Sequence, residues 1–322
     1  MKASTLATLS RRQFVCAGAA LVAALGFGLG RLGASSALAA DKAASAGADA
    51  PAVDFAGPFV VGFDQDFPPY GYVDDKGQFA GFDLDLARAV CDVEGWEVKL
   101  EPIAWDAKDA LLNSGQITCI WNGFTIEGRE GDYAFTDPYM ENRQVVVVRA
   151  DSGIADLAGL SGKVVLTQTD SAALGLLSEG GTQEALGKTF SELQTIGDYN
   201  TAFMMLETGA VDAVAIDYPV AVYQIGDKTD AFTILSEPLN SEHYGVGFAK
   251  GNEALAARVE YDLKQLDAEG KVKELCDKYA DQGVSYDAWC LGKDVDGEAA
   301  GSSAVDKAAS SAKDASAKAD KK

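Results

Sequence analysis

Short apolar runs alternate with stretches of helical spacing along this chain, and the alternation starts over midway. Phe59-Val60-Val61-Gly62-Phe63 reads as a buried strand, Pro68-Pro69 ends it, and a turn follows at Asp74-Asp75-Lys76-Gly77. Phe82, Leu86, Ala89, Val90 and Val93 then recur at helical spacing. Residues 96–103 alternate as a strand does, residues 105–113 read as a helix stopped by Ser114-Gly115, and residues 116–122 read as a further strand. This order predicts a mostly parallel sheet covered by helices, because parallel neighbours need a long crossover between them.

The second pass is similar. Residues 145–149 make a valine-rich strand, and residues 163–167 make another after Leu160-Ser161-Gly162. Residues 171–177 look helical, Ala202, Phe203 and Leu206 mark one face of a helix, and residues 211–216 form a strand. Leu112-Asn113-Ser114-Gly115-Gln116-Ile117-Thr118-Cys119-Ile120 and Leu206-Glu207-Thr208-Gly209-Ala210-Val211-Asp212-Ala213-Val214 share one plan: helix end, glycine stop, strand. That plan fits ordinary α/β grammar and also fits two lobes of one design. A strand over 245–248 and helices over 254–266 and 272–279 complete the chain. The expected fold class is α/β, a two-lobed clamp with two hinge crossings. Lobe 1 spans 58–147, lobe 2 spans 148–240, and a return to lobe 1 spans 241–292. Two such sheets facing each other would present loops from their strand ends to one cleft.

The ends fall outside this pattern. Residues 1–40 hold no Asp or Glu, Arg11-Arg12 precede an apolar stretch over 14–30, and Ala37-Leu38-Ala39 offers small residues for cleavage. Basic, apolar, then small is the order of an export leader, and the arginine pair with Phe14 two positions on is of twin-arginine type. The competing reading is a retained anchor, but the apolar run is glycine-rich and short for a spanning helix. No Leu-Ala-Gly lipobox precedes Cys16. Residues 41–57 and 293–322 are low in complexity and are expected to be a disordered linker and tail, unable to bury enough apolar surface to offset ordering entropy.

Removing the leader's four positive charges takes the formal charge from −22 to −26. So acidic a surface excludes nucleic-acid binding through phosphates and docking on anionic lipid. Four cysteines follow the leader, Cys91, Cys119, Cys276 and Cys290, and an even number in an exported chain favours disulfides. Cys276 with Cys290 is the first pairing by closeness in sequence, and Cys91 with Cys119 the second. The alternative leaves Cys91 and Cys119 as unpaired core residues. With no Cys-x-x-Cys and one histidine, His243, neither a metal nor a cofactor is expected.

Several motifs stand in order: Phe63-Asp64-Gln65-Asp66-Phe67-Pro68-Pro69-Tyr70, Gly81-Phe82-Asp83-Leu84-Asp85-Leu86, Asn122-Gly123-Phe124-Thr125-Ile126 with Arg129, Phe135-Thr136-Asp137-Pro138-Tyr139, Asp212-Ala213-Val214-Ala215-Ile216-Asp217 and Tyr244-Gly245-Val246-Gly247-Phe248. The ordered set, spanning about residues 59–289, resembles the polar amino-acid-binding proteins of ABC importers. The resemblance implies the periplasmic-binding-protein-like fold, a free polar amino acid as ligand with a tilt toward a cationic one, and an ABC transporter permease as partner. It further implies an exported, monomeric binding protein in the periplasm or cell-envelope space, without enzymatic activity.

A zwitterion held between lobes needs a cation for its carboxylate and an anion for its ammonium, because an unpaired buried charge is costly. Arg129 suits the first, since a guanidinium presents a fork to two oxygens, although Thr125 to Arg129 is one residue shorter than the common spacing. Asp217 suits the second; it also stands where an N-cap would, just before Pro219. Thr125 could donate its hydroxyl to the ligand, and the backbone of Gly123 could approach it closely for want of a side chain. The resemblance sets Gln168, Ser171 and Ala172 in a loop before a helix whose N–H groups face an anion, and Ser171 is equally suited to cap that helix. Phe67 and Trp105 would enclose the aliphatic part, with Tyr70 a weaker candidate. Asp64 would reach the ligand side chain, and Asn122 and Glu127 would border the cleft. Two other readings compete. One is an exported dehydratase-like enzyme using Asp64 and Glu127 as acid and base. The other is a ligand-sensing module for a membrane receptor.

Overall fold

The computed structural model describes residues 50–293, so the expected leader and tail lie outside the described residues. Two five-stranded sheets form the two lobes. The first runs Val98–Pro102, Phe59–Phe63, Cys119–Ile120, Gly247–Ala249, Tyr133–Phe135; the second runs Glu192–Ile196, Val164–Gln168, Ala213–Asp217, Gln144–Arg149, Phe232–Ile234. In each, three parallel strands meet one antiparallel strand that has just arrived from the other lobe. The two sheets therefore share one topology. The sequence echo lies at the same place in both, where the helices Lys108–Asn113 and Tyr199–Thr208 lead into the third parallel strand.

The chain crosses between lobes twice. Met140–Asn142 and Glu242–Tyr244 pair antiparallel at the crossings, with Glu242 opposite Asn142. Gln144–Arg149 belongs wholly to the second sheet, so the lobe boundary expected between 147 and 148 falls inside a strand. That strand reads as continuous valine because both faces are buried: Val145 and Val147 join one core, Val146 and Val148 the other.

The larger core sits under the helix Phe82–Glu94, where Phe82, Leu86 and Val90 pack on Phe59, Val61 and Phe63. It continues through Tyr70, Tyr139 and Tyr244 at the crossings into Ile216 of the second lobe. Each such side chain contributes roughly 1.5–3 kcal/mol by leaving water.

Three expectations are corrected. Residues 50–57 are docked rather than loose: Phe55 lies 5.0 Å from the Trp96 ring, and Arg258 donates to the Pro51 carbonyl at 3.3 Å. Val53 and Phe55, set among small residues, seat this stretch on the core. The strand expected over 116–122 is regular only at Cys119–Ile120, with Thr118 Oγ1 accepting from the Val60 N–H at 3.0 Å beside it. The four cysteines are buried free thiols, so neither Cys276–Cys290 nor Cys91–Cys119 is bridged. Cys91, Cys119 and Cys276 fill the main core as small apolar side chains, and burial raises Cys91, Cys276 and Cys290 to about 12. Among the described residues no helix is long and apolar enough to cross a membrane.

Candidate functional site

Strand ends from the two sheets meet across one cleft. Phe67, Trp105, Asn122, Gly123, Thr125 and Arg129 line it from the first lobe, and Gln168, Ser171, Ala172 and Asp217 from the second. Together they enclose a narrow, partly open cleft in which the two lobes lie close to one another. Asp64 stands behind this lining, where its carboxylate accepts from Gln168 Nε2 at 2.6 Å and from the Asp66 N–H at 2.8 Å. The shared topology explains the meeting. Asp64 and Gln168 lie at the ends of the two first strands, Asn122 and Asp217 at the ends of the two third strands.

The first-lobe wall is pinned from beneath. Buried Asp83 accepts the Gly123 N–H at 2.5 Å and the Tyr139 hydroxyl at 2.9 Å, while burial raises its carboxyl to about 7 against those bonds. Gly123 has φ +57°, and a Cβ there would stand 3.1 Å from the Phe67 ring and 3.2 Å from that of Tyr244. Glycine supplies both the conformation and the clearance. Arg129 lies 5.0 Å from the Phe124 ring and donates to the carbonyls of Thr125 and Asp170, each at 3.2 Å. Trp105 Nε1 reaches the same Asp170 carbonyl at 3.2 Å, and buried Lys108 pairs with the Asp170 carboxylate. Three first-lobe donors thus converge on Asp170, which adopts the left-handed φ of +60° that aspartate tolerates better than most side chains.

Other candidates fall elsewhere. Tyr70 is fully buried beneath the cleft and belongs to the core. Glu127 accepts from the His243 backbone at 2.9 Å and meets its Nδ1 at 2.7 Å, so Asp64 and Glu127 are engaged by different partners. Ser171 does cap its helix, accepting the Leu174 N–H at 3.1 Å.

Asp217 holds the N-cap position of the helix Tyr218–Ile225, but its carboxylate makes no capping bond. Its Oδ1 instead accepts from Asn142 Nδ2 at 2.8 Å, Gln144 Nε2 at 2.8 Å and the Tyr244 hydroxyl at 2.7 Å. The same two amides donate to Glu242 Oε1 at 2.7 and 2.8 Å, and Thr125 Oγ1 donates to it at 3.0 Å. Burial, then the charge of Glu242, raise the Asp217 carboxyl to about 7. Glu242, Asn142 and Gln144 escaped the sequence reading. Starting the strand at 242 rather than 245 would have found Glu242, since it shares a face with Tyr244.

The sequence profile of the bacterial extracellular solute-binding proteins, family 3, matches residues 59–282. The chain belongs to this family. It is 27% identical over 226 residues to the L-cystine-binding protein TcyJ of Escherichia coli K12, covering 69% of this chain and 82% of TcyJ. It is 27% identical over 254 residues to a probable histidine-binding protein of Neisseria gonorrhoeae, covering 76% of this chain and 92% of that one. Its fold matches a substrate-binding protein of an ABC uptake transporter from Streptococcus pneumoniae, solved with bound histidine, at a TM-score of 0.67 and 30% identity. That match covers 71% of this chain and 94% of the other. Family and relatives are binding proteins, and the two-lobed α/β architecture is theirs.

Proposed function

We propose that this family member captures a free, polar L-amino acid outside the cytoplasm and hands it, as a monomer, to an ABC transporter permease, without chemistry on the ligand. The observation that carries the reading is one guanidinium, Arg129, and one buried carboxylate, Asp217, lining a single cleft from opposite lobes. A zwitterion bridges such a pair, carboxylate on the Arg129 fork and ammonium on Asp217. Phe67 and Trp105 cover the aliphatic part. Asp64, its carboxyl raised to about 6 by burial and to a smaller extent by the charges of Asp66 and Asp198, favours a ligand side chain that is cationic or donates hydrogen bonds. The leader-like first forty residues support export.

A ligand that binds only the folded state raises its melting temperature. After unfolding and refolding to strip carried-over ligand, the protein is screened by thermal shift with the twenty amino acids, ornithine and cystine. A ligand present at about a hundred times its Kd adds ~2.7 kcal/mol, a shift of roughly 5–10 °C for a chain of this size. The expected result is such a shift with at least one amino acid. No shift from any of them contradicts the reading.

A further inference from the structure

Glu242 has no place in the scheme of one cation and one anion, yet it is 1% exposed and more fully bonded than Asp217. Its Oε1 takes three donors and its Oε2 takes Asn240 Nδ2 at 2.9 Å. Each of the amides of Asn142 and Gln144 donates to both carboxylates. Among the described residues nothing donates to the buried Asn142 Oδ1 or Gln144 Oε1. The amides are thus turned fully toward the two carboxylates, leaving their own oxygens unmet. Thr125 spends its proton on Glu242, which leaves the hydroxyl only lone pairs to offer the cleft that it lines.

Burial and the charge of Glu242 are what raise the Asp217 carboxyl, and further titratable and charged groups surround the pair. Tyr244 donates to Asp217, while Tyr70 and Tyr199, both fully buried, lie within electrostatic reach of it. His243 and Glu141 flank Glu242 on the paired crossing strands, with His243 held by Glu127; Arg143 stacks over the Tyr218 ring, and Arg129 lines the cleft. Two carboxylates this close in a buried site do not both keep a full charge without a partner.

We propose that Glu242 is the positioning residue of the ammonium subsite: before ligand arrives, the Asp217–Glu242 pair holds one proton, and the ammonium displaces it to solvent. The pair then carries two negative charges against the one positive charge of the ammonium, and Thr125 offers the ammonium an acceptor. The inference rests on the amino-acid reading above for its ligand, but the pair itself can be read without one.

Two measurements on wild type and Glu242→Gln keep the two readings apart. The variant keeps the shape, and Asn142 and Gln144 can turn their free oxygens to the new amide. First, pH-difference infrared spectra of the ligand-stripped protein should show one more buried carboxylic acid titrating near neutral pH in wild type than in the variant, beyond Asp83, Asp262 and Asp64, which titrate in that region in both. Second, calorimetry in buffers of different ionisation enthalpy counts protons released on binding, with L-histidine, L-arginine, L-glutamine and L-cystine as probes. Wild type should release about one proton per ligand at pH 6 and almost none above pH 8, with affinity rising about tenfold between them. The variant should release well under half a proton at pH 6 and lose that rise. A merely structural role would weaken binding without changing the proton count. Titration spectra that are the same in wild type and variant, or equal proton release by both proteins, overturn the proposal. The extra titrating acid in a wild-type protein that gives no heat with any probe overturns the amino-acid reading instead.

Discussion

Asp217→Asn is expected to weaken amino-acid binding by at least about a hundredfold while leaving the ligand-free protein as stable as wild type or more so. Breaking a buried ion pair by removing one partner costs about 3–5 kcal/mol, which is roughly a hundredfold to several thousandfold in affinity. The stability half of the prediction follows from the same contacts. An asparagine oxygen can still accept from Asn142, Gln144 and Tyr244, and the variant no longer places a second carboxylate beside Glu242. Arg129→Met should lose affinity to a similar extent but lose some stability as well, because Arg129 also ties Thr125 to Asp170 across the cleft. Calorimetric titration and thermal unfolding of each variant check both halves. Unchanged affinity in both variants contradicts the assignment of the two charges.

The ligand-free protein should unfold at a higher temperature near pH 5 than near pH 8. Asp83 and Asp262 are raised by burial to about 7, Asp64 to about 6, and Asp217 upward by burial and Glu242. An unfolded carboxyl titrates at 3.8, so from about pH 4 to 7 the folded state holds protons that the unfolded chain has released. Stability from these groups is therefore complete at the acid end of that window and is lost as pH rises through it. His243, raised by Glu127, acts in the same direction above its ordinary 6.5. The repulsion of a −22 chain grows in the same direction as well. Asp85, lowered by Lys278 and Tyr279 despite its burial, acts oppositely, and its stabilisation is lost only below about pH 4. A rise of roughly 5 °C or more on going from pH 8 to pH 5 is expected by scanning calorimetry, since each kcal/mol moves Tm by about 2–4 °C. A flat profile, or one that climbs toward pH 8, contradicts the account. Affinity for an amino acid should run the other way, improving as Asp217 loses its proton.

The sequence made the fold legible where local pattern and burial coincide. Phe59–Phe63 is buried along its length and reads as a strand with its observed bounds. The helix Tyr199–Thr208 carries Ala202, Phe203 and Leu206 on one buried face and stops at Gly209. Ten residues named through the family resemblance line one cleft, and those at strand ends, such as Asn122, Gln168 and Asp217, are where an α/β sheet presents side chains. The crossings were harder to read. Three residues per crossing are too short for a periodic signal, and a buried Glu242 looks in sequence like any solvated glutamate. Asp170 is similar: the Lys108, Trp105 and Arg129 donors that converge on it come from the other lobe, which local sequence does not show. The cysteines show the limit of compositional argument, because an even count says nothing of how each thiol packs.

The most direct test of the central claim varies the ligand's two charges rather than the protein's. The amino acid that gives the largest thermal shift is titrated calorimetrically into wild-type protein beside its α-carboxamide, which lacks the carboxylate, and its Nα-acetyl derivative, which lacks the ammonium. If Arg129 and Asp217 clamp a zwitterion, each derivative should bind at least about a hundredfold more weakly than the parent. Binding of either derivative within about threefold of the parent would contradict the claim that the cleft is built around both charges.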